Sequence, residues 1–167
     1  YTDMKNDYEA MKMLVYTSGT TGFSKGVMLS EKNLVSLIYF GLRSATIYDR
    51  CLSILPYHHT YEAVCGILVG IHKRVTLCIN ESLRAVAKNL ALYRPNYMYV
   101  VPAVASALHK NVLRTAQKQG KLKVLLLMMK VSNALRKVGI DLRRKLFASV
   151  HEGLGGELLE VVCGGAP

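Results

Sequence analysis

Residues 74–101 read RVTLCINESLRAVAKNLALYRPNYMYVV, and this stretch decides the fold class. Residues 74–79 are rich in strand-forming side chains, residues 83–93 carry apolar side chains at helical spacing, and residues 97–101 form another strand-like run. Pro95 stops the helix and Pro102 ends the second strand, because proline has no backbone N–H to donate. The stretch therefore predicts two parallel strands joined by a helical crossover, which is right-handed in nearly all proteins.

The same alternation continues on both sides of this stretch. Further strands are predicted at residues 11–17, 26–29, 51–55 and 158–163, and further helices after Ser30 and at residues 61–72, 103–117 and 142–154. The first two strands are expected to form a hairpin, and Ser30 is the expected N-cap of the helix that follows. The predicted fold is a single α/β domain over residues 1–167. Its mostly parallel sheet is flanked by helices in three layers, with ligand sites at the carboxyl ends of the strands.

The composition excludes several classes of protein. Of the 167 residues, 51% are hydrophobic and 20% are charged, which argues against a disordered tail. Four cysteines without a C-x-x-C pair indicate a reducing compartment, so a cytoplasmic location is expected. The strongly apolar runs at residues 63–71 and 124–129 are too short to span a bilayer, and the first residues lack the apolar core of a signal peptide.

The net charge of +11 predicts an anionic partner, either a nucleic acid, a nucleotide, a coenzyme or a membrane surface. Residues 110–145 hold 11 of the 22 basic residues and a single acid, Asp141. Within this segment, the lysine-flanked run 124–129 is either a buried helix or a lid at a lipid-facing edge, so peripheral membrane contact stays open. The sequence leaves the oligomeric state open.

Residues 17–26, TSGTTGFSKG, have the composition of a phosphate-binding loop. Glycines let the backbone turn its amides toward an anion, the hydroxyls add donors, and Lys25 adds a positive charge. The loop is not a Walker motif, because no Ser or Thr follows Lys25 to hold magnesium, and no G-x-G-x-x-G opens a helix. From its composition alone, the alternative interpretation of this segment is a polar turn.

Two further loops lie at predicted strand ends. Residues 55–62, LPYHHTYE, place two histidines near Glu62, but their spacing matches no zinc motif, so no metal site is predicted. Taken alone, these histidines would cap the following helix. Residues 164–167, GGAP, would form a turn at the end of the last strand.

The ordered string at residues 16–27, YTSGTTGFSKGV, resembles the signature loop of the adenylate-forming (AMP-binding) enzymes, which include acyl-CoA synthetases, luciferases and peptide-synthetase adenylation domains. The usual form reads Tyr-Thr-Ser-Gly-Thr-Thr-Gly-x-Pro-Lys-Gly-Val, so Ser24 alone departs from it, standing where proline is typical. This change is expected to loosen the loop slightly, because proline would restrict φ there, without removing a phosphate ligand. The resemblance extends over residues 11–167.

The resemblance implies roles for the residues at matching positions. It implies that Lys25, Thr20, Thr21 and His59 are catalytic, and that His59 and Tyr61 line the acyl pocket. It implies a nucleotide site formed by Thr17, Ser18, Gly19, Thr20, Thr21, Gly22, Lys25, Gly164, Gly165, Ala166 and Pro167. In that site the glycines of the last turn would let the adenine ring approach the main chain.

The form Pro-x-x-His-x-x-Glu at residues 56–62 and the run RRKLF at residues 143–147 are similar to long-chain acyl-CoA synthetases. The resemblance therefore implies an ATP-dependent fatty acid–CoA ligase that acts on small molecules and uses ATP, Mg²⁺ and CoA. The family's Tyr-Gly-x-Thr-Glu segment, its ribose-binding aspartate and its C-terminal lysine have no match. Residues 1–167 are accordingly expected to be an internal fragment of the N-terminal domain, running from the phosphate loop to the adenine-binding turn and inactive alone.

Two alternatives stay open. The first is an acyl- or aminoacyl-adenylating domain that loads a carrier protein instead of CoA. The second is a basic nucleic-acid-binding module, which the net charge suggests. Aromatic side chains suited to base stacking are nearly absent from residues 110–145, which counts against that second alternative.

Overall fold

A computed structural model describes residues 7–18 and 24–165 of the chain. The first two strands, β1 (Met11–Ser18) and β2 (Ser24–Ser30), pair antiparallel. Most side chains of this hairpin are exposed, Tyr16 and Met28 each at 70%. The predicted hairpin is confirmed, and its two strands present their apolar side chains largely to solvent.

The helix α1 (Glu31–Ser44) begins at the predicted N-cap. The Ser30 hydroxyl accepts a hydrogen bond from the backbone N–H of Asn33, and the Asn33 side chain accepts one from the backbone N–H of Ser30. This reciprocal arrangement is a capping box, which satisfies two backbone donors at the helix start. The cap determines where the chain leaves the hairpin and turns toward the sheet.

Four parallel strands form the sheet. They are β3 (Arg50–Ser53), β4 (Thr76–Ile79), β5 (Tyr97–Val100) and β6 (Glu160–Cys163), in the spatial order β4-β3-β5-β6. The central strand β5 is buried along its whole length, and so is β3 from Cys51 to Ser53. Strands covered on both faces form continuous apolar runs in the sequence, which is why these strands are readable from it.

Helices connect the parallel strands on both faces of the sheet. Between β3 and β4 lie a π-helix (Tyr61–Leu68) and α2 (Val69–His72); between β4 and β5 lie a 3₁₀ turn (Leu83–Ala85) and α3 (Val86–Tyr93); between β5 and β6 lie α4 (Pro102–Lys118), α5 (Leu122–Lys137), α6 (Arg143–Leu146) and α7 (Ala148–Gly153). The connection from β3 to β4 runs toward one edge of the sheet, and the connection from β4 to β5 runs back toward the other edge. Right-handed crossovers in opposite directions put α2 and α3 on opposite faces of the sheet. The predicted α/β class and parallel sheet are confirmed.

The predicted helix at residues 61–72 is confirmed, but its first part is π-helical. Its two glycines explain how closely it packs. A Cβ at Gly66 would lie 2.7 Å from an oxygen of the Glu62 carboxylate, and a Cβ at Gly70 would lie 2.7 Å from the Leu77 side chain of β4. Hydrophobic spacing reports which face of a helix is buried, so it does not distinguish a π-helix from an α-helix.

The predicted helix at residues 142–154 is divided into α6 and α7. The backbone of Phe147 lies at φ −114° and ψ 29°, outside the α-helical region, and it separates the two short helices. The run 124–129 lies in α5 and is not a buried helix: among the residues of α5, all of which the structure describes, only Ser132 is buried. Among the described residues, no helix is both long and apolar enough to cross a membrane.

Gly155 has a φ of +92°, and a Cβ at this position would overlap the backbone carbonyl oxygen of Leu90 in α3. We expect Gly155→Ala to lower the free energy of unfolding by about 3 kcal/mol, because backbone strain and overlap add. Chemical denaturation measures this loss. The control is Gly120→Ala, which has a φ of +68° but no atom within 4 Å of its Cβ position.

The Gly120→Ala control is expected to lose about 1 kcal/mol, from the strain of a positive φ alone. Equal losses in the two variants would contradict the close approach of this turn to α3.

Candidate functional site

The carboxyl ends of β3, β5 and β6 meet at one edge of the sheet, because these strands run parallel as neighbours. The segments that leave this edge are residues 54–60, the start of α4, and residues 164–165. β3 and β5 are neighbours, but the chain leaves β3 toward one edge of the sheet and leaves β5 toward the other. Open α/β sheets bind ligands at such a point. These loops form the candidate site.

Tyr61 links two of these loops. Its hydroxyl donates a hydrogen bond to the backbone carbonyl of Val162 in β6 at 3.0 Å, and its ring packs edge-to-face against Tyr99 of β5 with 5.5 Å between centroids. Burial, with a smaller contribution from the nearby Cys65 thiol, raises the pKa of Tyr61 to about 12. The phenol is therefore neutral at physiological pH and remains a hydrogen-bond donor.

Gly164 packs directly on Tyr61. A Cβ at Gly164 would lie 2.7 Å from Cζ of the Tyr61 ring, so this position has room only for a glycine while the ring stays in place. The backbone N–H of Gly164 also donates to the carbonyl of Val100 at 3.0 Å, which continues the pairing of β5 with β6. Two of the predicted site residues are thus brought into contact, although they are about a hundred positions apart in the sequence.

His59 lies two residues before the start of the π-helix and is exposed. Its Nδ1 accepts a hydrogen bond from the backbone N–H of Tyr61 at 3.2 Å, and its carbonyl accepts one from the N–H of Ala63 at 3.0 Å. An accepting Nδ1 corresponds to the neutral tautomer with its proton on Nε2, which leaves Nε2–H as a donor. His59 therefore accepts a hydrogen bond from the first residue of this helix, as the sequence predicts for a capping histidine. Its exposed ring lies at the rim of the candidate site.

Glu62 is a buried carboxyl group beneath the same edge, 1% exposed. Ser53, at the end of β3, donates its hydroxyl proton to Oε1 of Glu62 at 2.5 Å. The second oxygen, Oε2, is buried and has no hydrogen-bond partner in the part of the chain that the structure describes. Burial raises the pKa of the Glu62 carboxyl above its ordinary value of 4.5, and the Ser53 hydrogen bond opposes that shift only in part.

Sequence reasoning did not identify Ser53 or Tyr99 as partners in this site. The available signal was a hydroxyl in the otherwise apolar run at residues 51–55, since a buried hydroxyl needs a polar partner. Its partner lies nine positions away and is brought close only by the turn between β3 and the π-helix.

The hairpin holds the two described ends of the phosphate loop together. Thr17 of β1 is paired with Lys25 of β2, and Ser18 with Ser24. Residues directly opposite each other in an antiparallel pair point to the same face, so the Thr17 and Lys25 side chains are neighbours. Both are exposed, and no carboxylate of the described residues forms an ion pair with Lys25.

The remaining predicted site residues lie outside the described residues; they are Gly19, Thr20, Thr21, Gly22, Ala166 and Pro167. Gly165 is described, and its φ of +70° is a conformation that favours glycine. The hairpin is connected to the sheet edge through α1, which packs against the π-helix. Within residues 7–18 and 24–165, no three His, Cys, Asp or Glu side chains cluster as metal ligands.

The sheet and its edge loops form an α/β unit with a ligand-binding edge of the kind that open parallel sheets have. The chain belongs to the AMP-binding enzyme family, whose sequence model matches residues 2–167. This match leaves the nucleic-acid alternative without support.

Similar proteins include acyl-activating and fatty acid ligases. The chain is 33% identical over 153 residues to a probable acyl-activating enzyme 16 of Arabidopsis thaliana, covering 89% of this chain and 20% of that protein. It is 33% identical over 141 residues to the Arabidopsis long-chain-fatty-acid–[acyl-carrier-protein] ligase AEE15, and the match covers 80% of this chain and 19% of that protein. It is 26% identical over 175 residues to the long-chain-fatty-acid–CoA ligase FadD15 of Mycobacterium tuberculosis, covering 92% and 28%. The chain thus spans between about a fifth and about a quarter of the length of these relatives.

Solved structures agree with the fold. The adenylation domain of a carboxylate reductase from Mycobacterium chelonae superposes with a TM-score of 0.71 at 22% identity, covering 98% of this chain and 24% of that one. ATP-bound MatB from Rhodopseudomonas palustris superposes with a TM-score of 0.63 at 19% identity, and the match covers 100% of this chain and 26% of that one. At these identities the likeness supports the fold alone.

The raised pKa of Glu62 predicts a pH-dependent stability. Because the folded chain holds this proton more tightly than the unfolded chain, the stabilisation is present at low pH and is lost as pH rises from 4.5 through the raised pKa. Glu62→Gln cannot titrate, so the stability of the wild type relative to Glu62→Gln should fall as pH rises above 4.5, the ordinary pKa of the carboxyl group.

Chemical denaturation across this pH range measures the difference. Glu9→Gln, which changes an exposed glutamate, is the control and should run parallel to the wild type. A Glu62→Gln curve parallel to the wild type would show that Glu62 does not titrate as described.

The contact between Gly164 and Tyr61 predicts a coupled pair of substitutions. Gly164→Ala should lower the free energy of unfolding by about 2 kcal/mol, because the new methyl group meets the Tyr61 ring. In a Tyr61→Ala background the same substitution should cost about 1 kcal/mol less, as a double-mutant cycle measures. Gly153→Ala, with no atom within 4 Å of its Cβ position, is the neutral control. Additive losses would argue against this contact.

Proposed function

We propose that this chain is part of an ATP-dependent acid–CoA ligase. The carboxylate of the acid attacks the α-phosphorus of ATP, a new P–O bond forms, and pyrophosphate leaves with the electron pair of the broken bond. The thiol sulfur of CoA then attacks the acyl carbon, and AMP leaves. The observation that carries the proposal is the signature string, with Thr17 held opposite Lys25 at the two ends of its loop.

The phosphate loop supplies positive charge and hydrogen-bond donors to the leaving pyrophosphate. Donors fixed in advance where negative charge develops lower the barrier, because they need no reorganisation during the reaction. The exposed ammonium of Lys25 and the hydroxyl of Thr17 fit this task, since they point to the same face of the hairpin. Thr20 and Thr21 contribute hydroxyl donors and Ser18 a further one, while Gly19 and Gly22 let the backbone turn its amides inward.

The sheet edge supplies the remaining contacts. His59 lines the acyl pocket beside the adenylate through its Nε2–H, and Tyr61 forms the wall behind it. Gly164, Gly165, Ala166 and Pro167 form the surface for the adenine ring. The contact of Gly164 with the Tyr61 ring supports this division of roles, because it joins the acyl side of the site to the adenine side.

Mg²⁺ and CoA complete the set of reactants. Mg²⁺ would bind mainly through the phosphates of ATP, with few protein carboxylates. Cys51, Cys65, Cys78 and Cys163 are free thiols, which supports a reducing, cytoplasmic location.

The substrate in this proposal is a long-chain fatty acid. Its support is the Pro56-x-x-His59-x-x-Glu62 form together with relatives whose names specify long-chain fatty acids. Residues 1–167 form one α/β unit of a larger AMP-binding domain and do not turn over alone, because the chain spans a minor part of the length of its relatives.

Transfer to an acyl carrier protein is the second candidate. One observation favours it: AEE15, which is 33% identical to this chain, is named as a long-chain-fatty-acid–[acyl-carrier-protein] ligase. Supplying CoA and acyl carrier protein in turn to the full-length enzyme, loaded with the same fatty acid, distinguishes the two acceptors.

The phosphate-loop assignment is tested in the full-length enzyme by Lys25→Ala and Thr20→Ala. Each should lower the rate of fatty-acid-dependent ATP–pyrophosphate exchange by about 100-fold, because a fixed donor to developing charge is lost. Lys12→Ala, at the other end of β1, is the control and should retain the wild-type rate. Unchanged exchange in the Lys25 and Thr20 variants would remove this assignment.

A further inference from the structure

α5 carries apolar side chains on its outer side in addition to those that face the domain. The apolar residues Val124, Leu127 and Val131 are 56%, 62% and 44% exposed, whereas Ser132 is 3% exposed. A surface helix of a globular domain normally buries its apolar stripe and exposes its hydroxyls. α5 thus presents an apolar stripe to its surroundings.

Lysines run directly beside this stripe. Val124, Val131 and Val138 recur every seven residues, and each is preceded by a lysine; these are Lys123, Lys130 and Lys137. Seven residues are two helical turns, so each set lines up along one side of the helix with only a small drift. Val138, just after the end of α5, is 70% exposed and extends the apolar stripe. Two parallel stripes result, one of apolar side chains and one of ammonium groups.

The surroundings of these lysines carry hardly any negative charge. No acidic residue occurs between positions 82 and 140 of the sequence. The next acid, Asp141, is engaged by Arg143, whose guanidinium lies 2.7 Å from its carboxylate and lowers the pKa of that carboxyl to about 2. The charge of the α5 surface is therefore strongly positive.

α5 also buries little of its apolar surface against its own domain. A cavity of about 220 Å³ lies between α5, α4 and α7, and the α5 side chains at its wall are Val124, Leu125 and Met128. None of the three is fully buried. The exposed stripe, which meets this cavity at Val124, is therefore not offset by a dense inner contact.

We propose that α5 docks on the surface of an anionic lipid bilayer. The helix would lie in the plane of the interface with Val124, Leu127 and Val131 in the acyl boundary, while the lysines extend to the lipid phosphates and carboxylates. Charge complementarity selects this occupant, because bilayers with acidic lipids attract clusters of basic residues. The proposal concerns binding and does not depend on the ligase activity.

Other occupants match this surface less well. The cores of protein interfaces are depleted in lysine, and a second copy packed through the same face would set the two ammonium stripes against each other, because residues 82–140 contain no acidic residue. Nucleic acid would leave the apolar stripe in water, and residues 102–146 contain no Phe, Tyr or Trp on which bases could stack. A lipid interface uses both stripes together.

Vesicle sedimentation of the full-length protein tests the proposal. It should bind vesicles of phosphatidylcholine mixed with phosphatidylserine more strongly than vesicles of phosphatidylcholine alone, and added salt should weaken the binding. Leu127→Gln should weaken partitioning to the mixed vesicles about tenfold, because one buried leucine contributes on that scale. The matched control is Leu92→Gln on α3, whose side chain has the same 62% exposure and should bind as the wild type does.

A variant with Lys123, Lys130 and Lys137 all changed to Gln should lose the preference for the mixed vesicles. Circular dichroism and thermal unfolding confirm that each variant folds. Equal vesicle binding by Leu127→Gln and Leu92→Gln would overturn the proposal. It would also be overturned by a dimer that Leu127→Gln dissociates, or by oligonucleotide binding that displaces the vesicles.

Discussion

Burial of β3 and β5 on both faces is the constraint on which the rest of the structure depends. Parallel neighbours cannot be joined by tight turns, so each connection must cross over the sheet, and helices are the usual means. The crossovers cover both faces and exclude water from Leu52 and Met98, which are fully buried. The same geometry brings the carboxyl ends of β3, β5 and β6 to one edge, where the connecting loops carry polar side chains.

The polar groups at that edge are partly buried, and their partners come from different strands. Tyr61 donates to a carbonyl of β6, while Glu62 accepts from Ser53 at the end of β3. In a low dielectric, hydrogen bonds of this kind hold their groups strongly in place, and a polar atom without a partner is costly. Glu62 is itself the second residue of the π-helix, and π-helical turns are frequent at functional sites. Tyr61 and Glu62 therefore both hold the loops of this edge in place and supply its polar groups.

Much of the fold was predictable from the sequence because each element has a local signal. Ser30 followed by Asn33 determined the start of α1, and Pro102 marked the change from β5 to α4. The candidate site was predictable only as separate loops. Nothing in the string at residues 51–62 shows that Ser53 contacts Glu62, since that contact depends on the turn between β3 and the π-helix. The split at Phe147 was likewise hidden, because apolar spacing continues through a single non-helical residue.

By itself, the sequence determined the α/β class, the hairpin with Thr17 and Lys25 at the ends of its loop, and the family to which the chain belongs. These properties depend on short-range order, namely residue spacing, capping and an ordered motif. The tertiary structure alone decided that Tyr61 packs on Gly164, that Glu62 is buried beside Ser53, and that the apolar stripe of α5 faces outward. Burial and contact depend on what lies across the sheet or above a helix, and apolar spacing gives the width of a face without saying what covers it.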